Sequence, residues 1–361
     1  MTGIIDVEAM HDTRPLINRL PGEPAPYYLA GGKGLRYEVD GQLWTVIARS
    51  VDTGGSFDAA FILGPRGAAA PFHSLPGHQR TYHVFDGCVQ FWLPGRSRVL
   101  VQGDSIHVPP EVPVAYRILG HSTRMLFFSA PGGALDVVLD DEAMAQARTE
   151  ARVHAASGGY GIPADEALLL LPGGAHRHDL EFAAASDEWD DTLPAGAEPY
   201  FLRAMTGERR AWPSAINSFA ARGRNTGGRY FSVLTNAAPQ PYIGRHFHEH
   251  HTENFFCMAG RVWLYANGDE VLLTPGDFLH APAGTIHAFA IERHDTRMLG
   301  MLTSDVFEPF FDVTADATDD HVYTEGLINP DTFMARLAAH AADLDVVQVG
   351  PPPVRNRALD L

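Results

Sequence analysis

The chain matches itself at one constant offset of 173 residues, and this internal repeat constrains the fold more than any other feature. The matching segments are 26–29 with 199–202, 53–55 with 226–228, 103–104 with 276–277, and 121–126 with 294–299. The match needs no insertion or deletion, so the chain contains two copies of one domain. We expect both copies to have the same fold.

Each copy consists of short runs of β-branched and aromatic residues, separated at intervals by Gly and Pro. This pattern is typical of an all-β sandwich or barrel. In the second copy, the runs 261–265 and 270–273 flank Asn267 and Gly268, which are the turn signal of a type I′ hairpin. The sequence therefore predicts an all-β chain built from two β-domains.

Helical patterns lie outside the two copies. Residues 140–157 are Ala-rich with helical spacing, a second helix is predicted at 164–171, and Asn329 with Pro330 marks the start of a C-terminal helix. We therefore expect an N-terminal arm (1–25), a first barrel (26–138), a helical connector (139–198), a second barrel (199–313), and a C-terminal helix and tail (314–361).

Charge and hydropathy exclude two classes of partner. The chain of 361 residues has 27 Lys and Arg against 44 Asp and Glu, a net charge of −17, so its field opposes phosphate binding and we expect no nucleic-acid partner. The first 17 residues contain Asp6, Glu8 and Asp12 where a signal peptide needs a basic start and an apolar stretch. No run of 18 apolar residues occurs, so we expect a cytoplasmic protein that does not enter membranes.

The second copy contains a set of candidate metal ligands: His246, His248, Glu253 and His287. Residues two apart on a strand point to the same face, so His246 and His248 project together. Three imidazoles and a carboxylate suit one divalent transition metal. We favour Fe(II), with Mn, Ni, Co and Cu as alternatives, and the set is also compatible with Zn. The simpler alternative is that four polar residues are buried by accident and bind no metal.

The first copy serves as an internal control for this interpretation. Its equivalent positions are His73, Leu75, Arg80 and Val114, so three of the four candidate ligands are absent. Leucine and valine cannot bind a metal, and Arg80 brings a cation to the metal's position. We therefore predict one metal per chain, held by the second copy, with His73 hydrogen-bonded in a filled core.

The same comparison separates the remaining histidines. The pairs His107/His280 and His121/His294 occur in both copies, so we interpret them as structural. His250 and His251 flank the candidate ligands, and we expect them to support the ligands or lie at the surface. His176 and His178 fall in the connector, where we expect a solvated segment.

The ligand pattern resembles the two motifs of the cupin family. The matching residues are Gly244, His246, His248, Glu253 and Gly260, followed by Gly276, Asp277, Pro282 and His287. More narrowly, the stretch 246–255, the segment 306–311 and the Pro-Tyr-Tyr/Phe-Leu start of each copy are similar to the bicupin quercetin 2,3-dioxygenases. The resemblance implies a bicupin with two jelly-roll β-barrels, to which the sequence pattern adds the helical connector and the C-terminal helix. The first copy departs from the family pattern, because bacterial relatives often keep a second ligand set there.

The resemblance also implies an activity. It implies a metal-dependent dioxygenase that cleaves a flavonol-like or related polyphenolic or quinonoid ring with O2, in which Glu253 is both a ligand and the base that deprotonates the substrate. Phe255 and Phe289 each follow a ligand by two residues and so share its face, and Met298 extends this wall or belongs to the core. We expect a small aromatic substrate, and a homodimer is compatible with this organisation.

Two other classes of function stay open from the sequence. Cupins with the same ligands also catalyse non-oxidative isomerase, decarboxylase or lyase reactions of secondary metabolism, in which the metal is only a Lewis acid. Two-barrel proteins that bind without catalysis also exist.

Overall fold

The computed structural model describes residues 14–94, 96–156, 190 and 192–354. These divide into two compact units. The first barrel comprises the described residues of 34–207 together with 224–226. The second comprises the described residues up to 33, residues 208–223 and the described residues from 227 onward. Each unit consists mainly of antiparallel strands, so the all-β prediction is confirmed.

The first barrel contains two sheets. The larger has seven strands, in the spatial order β12 (Tyr200–Leu202), β9 (Ser105–Val108), β6 (Gln79–Asp86), β11 (Ser122–Ala130), β4 (Asp58–Pro65), β3 (Gln42–Ala48) and β2 (Leu35–Val39). The smaller has four, in the order β5 (Ala69–His73), β10 (Val114–Ile118), β7 (Cys88–Leu93) and β8 (Arg96–Val101). Side chains of both sheets, such as Tyr82 and Phe127 from the larger and Phe91 and Tyr116 from the smaller, form one buried core.

The second barrel repeats this plan with additional strands. Its larger sheet has eight strands, in the order β1 (Tyr27–Leu29), β20 (Phe278–Ala281), β17 (Thr252–Ala259), β22 (Thr296–Thr303), β15 (Phe231–Ala237), β14 (Ala215–Ala221), β13 (Arg209–Trp212) and β23 (Asp316–Ala317). Its smaller sheet has five, in the order β19 (Asp269–Leu273), β18 (Val262–Ala266), β21 (His287–Ile291), β16 (Arg245–Phe247) and β24 (Val347–Gly350). A buried cluster again takes side chains from both sheets.

The predicted hairpin of the second copy is present as β18 and β19. Asn267 and Gly268 join these strands with φ values of 47° and 99°. Positive φ at both central residues is what a type I′ turn requires, and asparagine and glycine are the residues that adopt it most readily. The hairpin prediction is therefore confirmed.

The opening segments of the two copies differ from the expected boundaries. β1, from the segment expected to begin the first barrel, pairs with β20 of the second barrel, and β12 pairs with β9 of the first. Each opening strand thus extends the larger sheet of the other copy. The repeat identifies the two segments as equivalent, whereas their pairing depends on which sheet edge offers free N–H and C=O groups.

Helices lie between and after the strands. They are α1 (Ala134–Val138), α2 (Asp141–Ala156), the single turn α3 (Gly223–Thr226), α4 (Glu308–Thr314) and α5 (Pro330–His340). The Asn329 side chain accepts a hydrogen bond from the Asp331 N–H at 2.8 Å, so it caps the start of α5 as the sequence predicts. The helix predicted at 164–171 and the segment with His176 and His178 lie outside the described residues. Within the described part of the chain, no helix is long and apolar enough to cross a membrane.

Candidate metal centre

The smaller sheet of the second barrel brings three histidines together. His246 lies on β16, directly opposite His287 at the start of β21, and His248 follows the end of β16. All three side chains are buried, and each offers a ring nitrogen such that the three nitrogens lie within 4.8 Å of one another. The spacing of two residues therefore places His246 and His248 beside His287, as the sequence predicts.

One ring nitrogen of each histidine is held by a backbone carbonyl. Nδ1 donates to the Gly244 oxygen at 3.0 Å in His246, to the Asp345 oxygen at 2.6 Å in His248, and to the Thr285 oxygen at 2.9 Å in His287. A carbonyl oxygen can only accept, so these bonds place a proton on each Nδ1. Such bonds orient a metal-binding imidazole and leave Nε2 as its ligand atom.

Glu253 completes the cluster from β17 of the larger sheet. Its Oε2 lies 2.8 Å from Nε2 of His287, and its Oε1 lies 3.7 Å from Nε2 of His248. Burial alone would raise the pKa of the Glu253 carboxyl, but His248, His251 and His287 around it outweigh burial and hold the pKa well below its ordinary value. The structure thus brings together all four predicted ligands.

The donor set fits a bound divalent metal. Within the described residues, the buried Nε2 of His248 has no hydrogen-bond partner, which is costly unless another group binds it. Burial, helped by His287 and His248, lowers the pKa of His246 well below its ordinary value, so this ring is neutral and can donate a lone pair. Three imidazole nitrogens and one carboxylate match the preferences of first-row transition metals.

The predicted substrate residues lie in the apolar cluster next to this site. The ring centroid of Phe255 is 5.8 Å from that of His287. Phe255, Phe289 and Met298 are all buried in the same cluster between the two sheets of the second barrel. The apolar wall proposed from the sequence is thus adjacent to at least one ligand.

Two side chains close to the ligands received no assigned role from the sequence. Phe307 lies in a short 3-10 helix before α4, and its ring centroid is 4.7 Å from His248 and 4.4 Å from His251. Asp345 precedes β24, and its carboxylate accepts from Nδ1 of His251 at 2.7 Å. Phe307 falls within the segment 306–311 that resembles the family, which is a usable signal. No sequence motif surrounds Asp345. It reaches the site only through the tertiary fold, which pairs the following strand β24 with β16.

The first barrel places different chemistry at the equivalent positions. Leu75, Arg80 and Val114 are all fully buried, and Nη2 of Arg80 donates to the Val112 oxygen at 2.6 Å. His73 donates from Nδ1 to the Pro71 oxygen at 3.0 Å, as expected for a hydrogen-bonded core histidine. Within the described residues, every group of three or more candidate metal ligands lies in the second barrel.

The histidine pairs shared by both copies fall into two kinds. His107 and His280 are buried, and each ring bonds within its own barrel: His107 to the Asn225 oxygen at 3.1 Å, and His280 to the Asn254 side chain at 2.7 Å. His121 and His294 are exposed. None of the four belongs to the His246, His248 and His287 cluster.

Comparison with known proteins identifies the family. Residues 233–301 match the cupin domain model. Quercetin 2,3-dioxygenase of Bacillus subtilis is 30% identical over 308 residues, which covers 84% of this chain and 90% of the relative. The chain belongs to the quercetin 2,3-dioxygenase family. The enzyme of the same name from Aspergillus japonicus is 30% identical over 138 residues, 36% of this chain and 39% of the relative.

Solved structures agree on the bicupin fold. A Lactobacillus farciminis oxalate decarboxylase in complex with formate aligns with a TM-score of 0.53 at 10% identity, covering 77% of this chain and 86% of that chain. A Bacillus subtilis oxalate decarboxylase, described for its Mn(II) centres, aligns with a TM-score of 0.53 at 14% identity, covering 94% and 92%. At these identities the likeness establishes the fold alone. The chain is therefore a bicupin of the quercetin 2,3-dioxygenase family.

Proposed function

We propose that this chain is a metal-dependent dioxygenase that opens a ring of a flavonol-like or related polyphenolic or quinonoid molecule, with its metal held in the second barrel. The observation that carries the proposal is the buried cluster of His246, His248, His287 and Glu253. Family membership supports the same reaction class. In this proposal His246, His248, His287 and Glu253 hold one metal per chain, and Fe(II) is our preferred candidate.

The chain's own groups account for binding and proton transfer. When bound, the metal supplies Lewis-acid stabilisation of an anionic substrate oxygen and access to dioxygen chemistry. Glu253 accepts the proton of an enolic or phenolic hydroxyl, since its carboxylate reaches into the histidine cluster from β17. A dioxygenase places both oxygen atoms in its product, so the ring supplies the electrons and no external reductant is needed.

The surroundings favour a flat, apolar substrate. Phe255, Phe289 and Met298 form part of the buried cluster, and Phe255 lies against His287. Aromatic rings stack well with planar aromatic molecules and exclude water from the reacting centre. We therefore assign these three side chains to the substrate wall.

An oxygen-uptake assay tests this function. Metal-free protein would be reloaded with Fe(II), Mn(II), Ni(II), Co(II), Cu(II) or Zn(II) and assayed against flavonols and hydroxyquinones. We expect substrate-dependent uptake of about one O2 per ring opened, with both atoms of labelled dioxygen in the product. Equal turnover under argon and with Zn(II) would contradict the proposal and indicate a non-oxidative cupin reaction. Tight substrate binding without turnover under any condition would indicate a binding protein.

A further inference from the structure

We propose that Asp345 is a positioning residue that holds the metal ligands of the second barrel in place from the C-terminal segment. The inference rests on the proposed metal-dependent function. It assigns a role to a segment that lies beyond the two repeated copies and carries no metal-ligand motif.

The Asp345 carboxylate gathers three donors from the turn that joins β16 to β17. It accepts from the backbone N–H of Glu249 at 2.9 Å, from that of His250 at 3.1 Å and from Nδ1 of His251 at 2.7 Å. This turn carries His248 at its start and leads to Glu253 at its end. A carboxylate already holding three donors is placed to orient neighbouring groups rather than to bind a metal itself.

The backbone of the same residue contacts a ligand directly. The Asp345 carbonyl accepts the Nδ1 proton of His248 at 2.6 Å, which fixes the ring and aims Nε2 toward Glu253. Asp345 has a φ of 50°, in the left-handed region that asparagine, aspartate and glycine tolerate best. This conformation lets one residue use its carboxylate and its carbonyl on the same turn.

His251 connects Asp345 to a second ligand. With Nδ1 bonded to Asp345, the other ring nitrogen of His251 lies 3.9 Å from Oε1 of Glu253. The His251 ring contacts both His248, at 3.9 Å between ring centroids, and Phe307, at 4.4 Å. Asp345 therefore bonds to His248 directly, and its bond to His251 holds a buried ring beside Glu253.

The strand that follows Asp345 reinforces the arrangement. β24 pairs along β16, and Gln348 lies opposite His246 in that pairing. The first barrel lacks three of the four ligands. Its strand β5 is the equivalent of β16 and forms the outer edge of its sheet in the described structure, with no counterpart of β24 beside it. There His78, the counterpart of His251, bonds to the Pro131 carbonyl at 3.0 Å. The barrel that has the C-terminal strand and Asp345 is thus also the barrel that has the ligand set.

Metal affinity of full-length variants tests the proposal. Asp345→Gly keeps the left-handed backbone and removes the carboxylate, whereas Asp345→Asn keeps one acceptor oxygen. Asp343→Asn is the matched control, since Asp343 is exposed and lies two residues away. The measurements are competition for Co(II) against a chromophoric chelator, the visible absorption spectrum of the Co(II) protein, and thermal unfolding of the metal-free protein.

We expect Asp345→Gly to bind Co(II) about 10- to 100-fold more weakly with an altered spectrum, because supporting groups of ligands typically contribute this much. Asp345→Asn should fall between Asp345→Gly and wild type, and Asp343→Asn should match wild type. The metal-free Asp345 variants should lose some stability, because the turn loses hydrogen bonds, but this loss should be smaller than the loss in Co(II) binding free energy.

Two results would overturn the role of Asp345 alone. One is wild-type affinity and an unchanged spectrum in both Asp345 variants. The other is loss of affinity that follows an equal loss of stability in the metal-free protein, since Asp345 would then support folding only. If wild-type protein itself binds no divalent metal, the proposed function fails and this inference fails with it, so the two failures are distinguishable.

Discussion

Nε2 of His287 lies 2.8 Å from Oε2 of Glu253, while Nδ1 of the same ring is bonded to the Thr285 carbonyl. The imidazole comes from the smaller sheet and the carboxylate from the larger sheet, so both sheets of the second barrel build the centre. A carboxylate in this position can bind a metal and can also accept a proton from a molecule beside it. These two roles of Glu253 can be separated by mutation.

Glu253→Gln should retain most of the metal and lose most turnover. Three histidines still hold the ion, whereas an amide cannot accept the substrate proton, so we expect kcat to fall by about 10²- to 10⁴-fold. The check is kcat together with metal content by elemental analysis on the same preparation. Equal loss of metal and activity would make Glu253 a ligand only, and full activity would remove it from the mechanism.

Metal content should be about one equivalent per chain. Within the described residues, a buried cluster of three histidines occurs only in the second barrel, where it consists of His246, His248 and His287. The double variant His246→Ala/His248→Ala should therefore lose essentially all of it, as measured by elemental analysis after dialysis. A second equivalent that persists in the double variant would show that the first barrel binds metal.

The sequence predicted the fold and the ligand cluster because both depend on local patterns. The repeat indicates the duplicated domain, the alternation of residues on a strand places His246 and His248 together, and Asn267 with Gly268 predicts the hairpin. The repeat is detected by comparing the chain with itself, whereas the other two features are readable within a few consecutive residues. The structure shows two β-barrels, His246 beside His248 and a hairpin at Asn267.

Features that depend on distant parts of the chain could not be predicted in this way. The pairing of β1 with β20 joins residues about 250 apart, and the bonds from Asp345 to the 249–251 turn join residues about 95 apart. Neither contact has a sequence motif, since sheet edges and carboxylates accept many partners. The cytoplasmic location and the homodimer stay predictions.

Tyr27→Ala should destabilise the second barrel, although the residue belongs to the first copy. Tyr27 is fully buried, and its ring centroid lies 5.6 Å from Phe278 and 5.1 Å from His280. Truncating a buried aromatic ring typically costs about 3–5 kcal/mol. Hydrogen exchange should therefore accelerate in β20 and β17.

Tyr200→Ala is the matched variant, because this equally buried tyrosine stacks on His107 with ring centroids 5.3 Å apart. It should accelerate exchange in β9 and β6 instead. If Tyr27→Ala affected the strands of the first barrel and spared β20, the exchanged pairing would be contradicted.

Stability of the first barrel should fall as pH drops from about 6.5 toward 3. Burial lowers the pKa of His73, His83 and His107 to about 3 each. The charge of Arg80 also lowers the pKa of His73 and His107, and His107 also lowers that of His83. An unfolded histidine has a pKa near 6.5, so in this window the unfolded state binds more protons than the folded state. Each histidine therefore costs about 1.4 kcal/mol per pH unit of acidification.

Urea unfolding between pH 4 and 7.5 measures this dependence. His73→Gln removes one of these three histidines, so the slope of unfolding free energy against pH should decrease by about 1.4 kcal/mol per pH unit in the acidic range. A variant slope equal to that of wild type would show that His73 does not contribute.

Restoring the lost ligands of the first barrel should leave the activity of the second site within about twofold of wild type. The triple variant Leu75→His, Arg80→Glu and Val114→His replaces three fully buried side chains, beside His73. In the native protein Leu75 and Val114 fill the core, and the buried guanidinium of Arg80 bonds to the Val112 carbonyl.

New polar groups in the core of the first barrel cost about 1–3 kcal/mol each when they lack partners, so the unfolding midpoint of the triple variant should drop. Added metal should recover part of this loss. Activity per chain and metal equivalents, measured together, decide the outcome: a large loss of activity in folded protein would mean that the first barrel takes part in the reaction.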